Sequence, residues 1–205
     1  MPVYNVLIAG IGGQGVITLG TYLKKAALKA NISVNGSERR GGAQREGNVS
    51  TVIRYHWTEN EKKDERHGIT SPLIPTGCAH LLIGLEPLEA LRASQYLNRN
   101  SVVVLNLFPL PPISVRLGEA EYPSAENIVK MFQKVTKHIY AWNLTEIAER
   151  NFQNLHAVNG ISLGIASRVG NLPLSEADLL DVLREEARPE VLEHYRLGFE
   201  LANEK

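Results

Sequence analysis

The sequence predicts an α/β fold: a doubly wound, mostly parallel sheet with a Rossmann-like N-terminal βαβ unit and a helical C-terminal part. Three observations predict it. Short apolar or β-branched runs alternate with stretches of helical apolar spacing along most of the 205 residues. The first such run leads directly into a glycine turn and then a helical stretch. The last third carries helical periodicity alone.

The elements follow in order. Residues 4–9 are a short apolar run, the pattern of a buried parallel strand. Residues 10–15 read GIGGQG. Residues 16–30 place Val16, Leu19, Leu23, Ala26 and Ala27 at helical spacing, and 32–34 is a second strand. A polar, glycine-rich stretch spans 36–48. Residues 49–56 are rich in β-branched side chains and read as a strand. The charge run at 59–67 reads as a solvated hairpin tip or loop.

Residues 80–84 form the next strand, and 86–97 a helix with Pro87 tolerated in its first turn. Residues 101–106 are strongly β-branched. Pro109, Pro111 and Pro112 force an extended crossing segment after them. A helix is expected over 124–135 with Ser124 as N-cap, a strand over 138–141, and a helix over 143–152 with Asn143 and Glu146 in capping-box spacing. Helices over 158–169, 175–186 and 189–202 complete the chain, with Ser175 and Pro189 as start signals. No internal repeat or low-complexity linker interrupts this order, so residues 1–205 read as one domain.

Composition narrows the function classes. Hydrophobic residues make up 43% and charged residues 21%, an ordinary globular balance. The 22 basic and 22 acidic side chains cancel, which calls for neither nucleic acid nor an anionic membrane as partner. Cys78 is the one cysteine, so an internal disulfide is impossible and a reducing, cytoplasmic setting is expected. One cysteine also excludes an all-cysteine iron–sulfur cluster built by this chain alone. No signal peptide and no membrane-spanning run is expected. The histidines are scattered without metal-ligand spacing, so no metal site is expected. No nucleophile elbow or serine–lysine pair is present, and no catalytic residue is assigned.

The glycine turn is the chemical feature. Gly10, Gly12 and Gly15 satisfy G-x-G-x-x-G between a strand and a helix, with Gly13 and Gln14 in the variable positions. Glycines let the backbone turn tightly, and a helix N-terminus offers free N–H groups and partial positive charge. Such an end suits a phosphate, a pyrophosphate or a carboxylate. A dinucleotide site would require an acidic residue at the end of the second strand. The first acid there is Glu38, late by a few residues and flanked by Arg39 and Arg40. A purely structural reading, glycines for close helix–sheet packing, stays open beside both.

Three blocks carry a family resemblance. GIGGQGVITLG follows the first strand; SERRGGAQREGNVSTVIR spans 37–54; LEPLEAL spans 85–91. The first resembles the gamma-type domain of 2-oxoacid:ferredoxin oxidoreductases. The second, through Gly41, Ala43, Gln44, Arg45, Gly47 and Arg54, resembles the beta subunit of indolepyruvate:ferredoxin oxidoreductases, and the third resembles that family's helix start. The stretch around Asn159 to Gly164 is similar to it too. Arg40 and Gly42 depart from the histidine and methionine usual there and give an Arg-Gly-Gly similar to that of pyruvate and 2-oxoglutarate enzymes, which leaves the oxoacid open.

The resemblance implies a subunit that works beside a larger partner carrying thiamine diphosphate and iron–sulfur clusters and is inactive alone. It implies oxidative decarboxylation of a 2-oxoacid, indolepyruvate or a related aryl acid first, with the acyl group passed to coenzyme A and electrons to ferredoxin. In isolation the chain could form a homodimer. Within that frame Gly10, Gly12, Gly13, Gln14, Gly15, Arg39, Arg40 and Arg45 are the candidate residues for holding coenzyme A phosphates, with interface salt bridges as the other reading of the arginines. Two alternatives of other classes remain: a self-contained nucleotide-dependent oxidoreductase using residues 10–15, and a non-catalytic scaffold.

Overall fold

A computed structural model describes residues 2–41, 47–57 and 71–203. The chain runs β1 (Val3–Ile11), α1 (Val16–Lys29), β2 (Ser33–Arg40), β3 (Asn48–His56), β4 (Leu81–Gly84), α2 (Pro87–Arg92), β5 (Val102–Asn106), α3 (Ile113–Arg116), α4 (Ala125–Gln133), β6 (His138–Trp142), α5 (Leu144–Phe152), α6 (Ala157–Val169), α7 (Glu176–Glu186) and α8 (Val191–Leu201). A 3₁₀ turn, Ala93–Tyr96, follows α2, so the single helix expected over 86–97 is two pieces. The charge run at 59–67 lies outside the described residues.

The six strands form one sheet in the order β2-β3-β1-β4-β5-β6. The pairs β1–β4, β4–β5 and β5–β6 are parallel, whereas β3 runs antiparallel to both β1 and β2. The predicted βαβ unit is therefore present in split form: β1, α1 and β2 follow one another, with β3 inserted between the two strands. The second strand also runs further than expected, taking in Gly36 to Arg40 of the supposed polar loop. Pairing along its whole length with β3 outweighs its weak hydrophobic pattern at this edge of the sheet. Where a strand is polar on both faces, periodicity gives little warning of it.

Alternation along the strands sorts the core into two layers. Val6, Ile8, Ile53, Leu81, Ile83 and Val104 face α1, α6 and the C-terminal helices. Leu7, Ala9, Leu82, Val103 and Leu105 face α2 and α4. β4 and β5 are buried on both faces, which is why they read as unbroken apolar runs. The expected caps are in place: Ser124, Asn143 and Ser175 each accept from the backbone N–H three residues on. Among the described residues no helix is long and apolar enough to cross a membrane.

Candidate functional site

The sheet has a topological switch point. From β1 the chain passes through α1 to the β2–β3 side, while β4 to β6 extend on the other side of β1. Ligands of open α/β sheets bind in the crevice outside the strand carboxyl ends at such a point. Residues 10–15 and Leu85–Glu86 stand there.

The glycine turn is built from two kinds of contact. Gly12 N–H donates to Gly47 O at 2.9 Å, tying the turn to the start of β3. Gln14 does the rest: its Oε1 accepts from Ile11 N–H at 2.9 Å and its Nε2 donates to Leu85 O at 3.0 Å. Gln14, a candidate for holding the ligand, thus has both ends of its amide engaged within the chain. An amide with both ends committed to its own backbone is a brace across the switch point.

The glycines divide by role. A Cβ on Gly10 would stand 2.8 Å from Gln14 Oε1 and 2.9 Å from Val16 Cγ2, so this position serves close packing. Gly13 has φ +94° and open space around it, and Gly15, the N-cap of α1, has φ +79°. These left-handed backbones favour glycine. The packing reading thus holds at Gly10, while Gly13 and Gly15 supply the backbone angles of the turn.

Beside the turn lies a concavity of about 740 Å³, lined by Gly12, Gly13, Gly15, Thr18, Arg40 and Gly47 among others. The N–H groups of Gly13, Gly15 and the first turn of α1 have no acceptor among the described residues. The first turn of α1 contains no acidic side chain. Arg40, its side chain 70% exposed, stands at the rim 3.9 Å from Glu38. Free amide donors, a helix N-terminus and a guanidinium on one hollow fit an anionic group.

The arginines do not act together as expected. Arg40 faces the concavity, whereas Arg39, one residue earlier on the same strand, lines a groove on the opposite sheet face with Leu7, Val52 and Tyr96. Strand alternation separates them. Arg45 lies outside the described residues. Glu38 forms an ion pair with Lys24 of α1 at 3.1 Å, and β3 fills the place beside β1 where a dinucleotide fold sets its ribose-binding strand. Both facts weigh against the dinucleotide reading.

Two residues at this edge escaped the sequence reading. Asn106 is 1% exposed, donates to Leu85 O at 3.1 Å and accepts from Leu144 N–H at 3.0 Å. The Leu85 carbonyl thus joins β4, β5, α5 and the glycine turn. Glu86 is also 1% exposed; it accepts from Glu89 N–H at 2.8 Å, from Leu110 N–H at 3.3 Å and from the Tyr122 hydroxyl. It fastens both ends of the proline-rich crossing segment. Burial and the Glu86 contact push the Tyr122 phenol well above its ordinary range. Asn159, in the family-like stretch near the start of α6, makes no capping bond and touches Gly15. Arg54, part of the family-like block, donates to Asn5 Oδ1, Ser71 O and Leu73 O, all between 2.9 and 3.0 Å, and pins the chain to the sheet.

Comparison with known proteins decides the family. Residues 5–203 match the model of the family described as pyruvate ferredoxin/flavodoxin oxidoreductase. The chain belongs to this family. Relatives at 30–34% identity over most of the chain are named as oxidoreductase subunits. It is 33% identical over 189 residues to indolepyruvate oxidoreductase subunit IorB of Archaeoglobus fulgidus, covering 92% of this chain and 88% of that one. Its fold is similar to the gamma subunit of a keto/oxoacid ferredoxin oxidoreductase from Geobacter sulfurreducens, with TM-score 0.65, 17% identity and coverage of 98% and 99%. It is also similar to the 2-oxoglutarate:ferredoxin oxidoreductase of Magnetococcus marinus, a structure with 2-oxoglutarate, coenzyme A and succinyl-CoA bound. There the TM-score is 0.66 at 15% identity, over 100% of this chain and 32% of that chain.

Proposed function

We propose that residues 1–205 act as one gamma-type domain, the small subunit of an indolepyruvate-type 2-oxoacid:ferredoxin oxidoreductase, and that its glycine turn holds phosphates of coenzyme A. The observation that carries the second part is the set of unpaired N–H groups at Gly13, Gly15 and the start of α1, facing a hollow rimmed by Arg40. Anions bind such a helix start without further machinery. Arg45 is assigned to the same phosphates. The family relative with coenzyme A bound supports this ligand over other anions.

The remaining chemistry belongs to a larger partner. A thiamine diphosphate and iron–sulfur subunit performs the decarboxylation and passes electrons to ferredoxin, and this chain presents the acyl acceptor. A single cysteine leaves the chain unable to ligate an all-cysteine cluster. The relatives named for indolepyruvate favour an aryl 2-oxoacid as substrate. The work is placed in the cytoplasm.

The test is affinity purification of the chain from its own cells. The co-purifying complex is assayed for thiamine diphosphate, iron and coenzyme A-dependent oxidation of several 2-oxoacids. A cluster-bearing partner with preference for an aryl oxoacid is the expected result. A chain that remains alone and binds a nicotinamide or flavin dinucleotide would overturn the proposal.

A further inference from the structure

We infer that Asn159 is a positioning residue for the glycine turn; the inference rests on the coenzyme A reading above and extends it to a residue outside the turn. Asn159 stands in the first turn of α6, on the sheet face that α6 shares with α1. Its amide is pressed against the Gly15 backbone. A Cβ built on Gly15 would fall 2.0 Å from Asn159 Nδ2 and 3.3 Å from its Oδ1. Gly15 is the N-cap of α1, and its φ of +79° sets the direction in which the first-turn N–H groups point. Asn159 is not among the residues lining the concavity, so it acts through Gly15 and not by touching the ligand.

A second observation separates this role from simple packing. Asn159 is half-buried, and its Oδ1 is buried without a hydrogen-bond partner. A buried, unpaired amide oxygen costs stability that leucine, of nearly the same shape, would not. A wedge needed only for its bulk has no use for an amide. The turn that Asn159 supports carries uncommitted donors at Gly13 and Gly15. Asn159 therefore sets the turn by contact, and its amide holds the turn by hydrogen bond once the anion is seated.

The test uses the assembled complex and coenzyme A as the probe. Coenzyme A affinity is measured by titration calorimetry, and KM and kcat by turnover, for the wild type, Asn159→Leu, Asn159→Ala and Arg40→Glu. Asn159→Leu keeps the bulk and removes the hydrogen-bonding groups. It is expected to raise Kd and KM for coenzyme A at least tenfold, with kcat at saturation within about twofold and the thermal midpoint unchanged or higher. If Asn159→Leu does not assemble, Asn159→Ala tests the contact and the hydrogen bond together, with the same loss of coenzyme A affinity expected. Wild-type Kd and KM in the variant, with Arg40→Glu weakened, would overturn the role of Asn159 and leave the coenzyme A reading standing. Wild-type values in both variants would overturn the reading and this inference together.

Discussion

The side-chain amide of Gln14 reaches across the switch point and donates to the Leu85 carbonyl at 3.0 Å, joining the glycine turn to the end of a strand 71 residues further on. The same amide accepts from Ile11 N–H. Replacing Gln14 by alanine leaves the Ile11 donor without its partner, while Leu85 O keeps Asn106. The expected cost is about 1–3 kcal/mol, a fall of roughly 3–9 °C in Tm for a domain of this size. Thermal unfolding of Gln14→Ala checks it. An unchanged Tm together with a weaker coenzyme A interaction would return Gln14 to the ligand-binding role.

Gly15→Ala meets two obstacles, the left-handed backbone and Asn159. The first costs about 1–2 kcal/mol, and the contact with Asn159 adds to it. The double variant Gly15→Ala/Asn159→Ala removes only the second. A double-mutant cycle on Tm and denaturant midpoint is expected to give a coupling of about 0.5–3 kcal/mol in favour of the pair. Additive effects would show that the two residues do not press on each other.

Burial raises the phenol pKa of Tyr4, Tyr55 and Tyr122, and pushes that of Tyr195 up to about 12. A group whose folded pKa lies above its unfolded value of about 10 stabilises the fold fully below that pH and loses the contribution as pH rises above it. Stability is therefore expected to fall above about pH 10. In a spectrophotometric titration these phenols should ionise together with unfolding. Their ionisation in the intact fold near pH 10 would contradict the structure. Glu86→Gln weakens the anchor of Tyr122 and should lower Tm.

At the acid end, burial depresses the pKa of His80 and His194. His80 Nδ1 accepts from Asn5 N–H at 2.9 Å, which requires the neutral ring. Groups with depressed folded pKa hold their contribution above the unfolded value and lose it as pH falls. For histidine that window opens below about pH 6.5. Tm is expected to be flat from pH 8 to 7 and to decline below 6.5, and NMR titration should place both rings below that value. A His80 ring titrating at or above 6.5 would contradict the hydrogen bond.

Much of the fold was legible because it rests on local chemistry. Ser124, Asn143 and Ser175 announced helix starts, and the apolar run at β4 and the β-branched run at β5 announced buried parallel strands. Pairing was not legible. Nothing in the polar run Gly36–Arg40 tells that it lies beside β3, or that β3 inserts next to β1. Long-range pairing hid the surroundings of the site residues as well. Arg39 and Arg40 look like one basic cluster until a strand turns them to opposite faces. Gln14 looks available until a carbonyl 71 residues away claims it. The buried Asn106 and Glu86 gave no local sign, because their partners come from other elements. The glycine motif was read correctly as a turn at a helix start, since φ preference and motif spacing are both local.

The most direct test of the central claim is the affinity of the assembled complex for coenzyme A, by calorimetry, in the wild type and in Arg40→Glu. Arg40 is exposed at the rim, so the substitution leaves the fold intact. The account predicts at least a tenfold loss of affinity, larger at low salt, with an unchanged Tm. Wild-type affinity in Arg40→Glu at low salt would contradict it, and would place the coenzyme A phosphates away from the glycine turn.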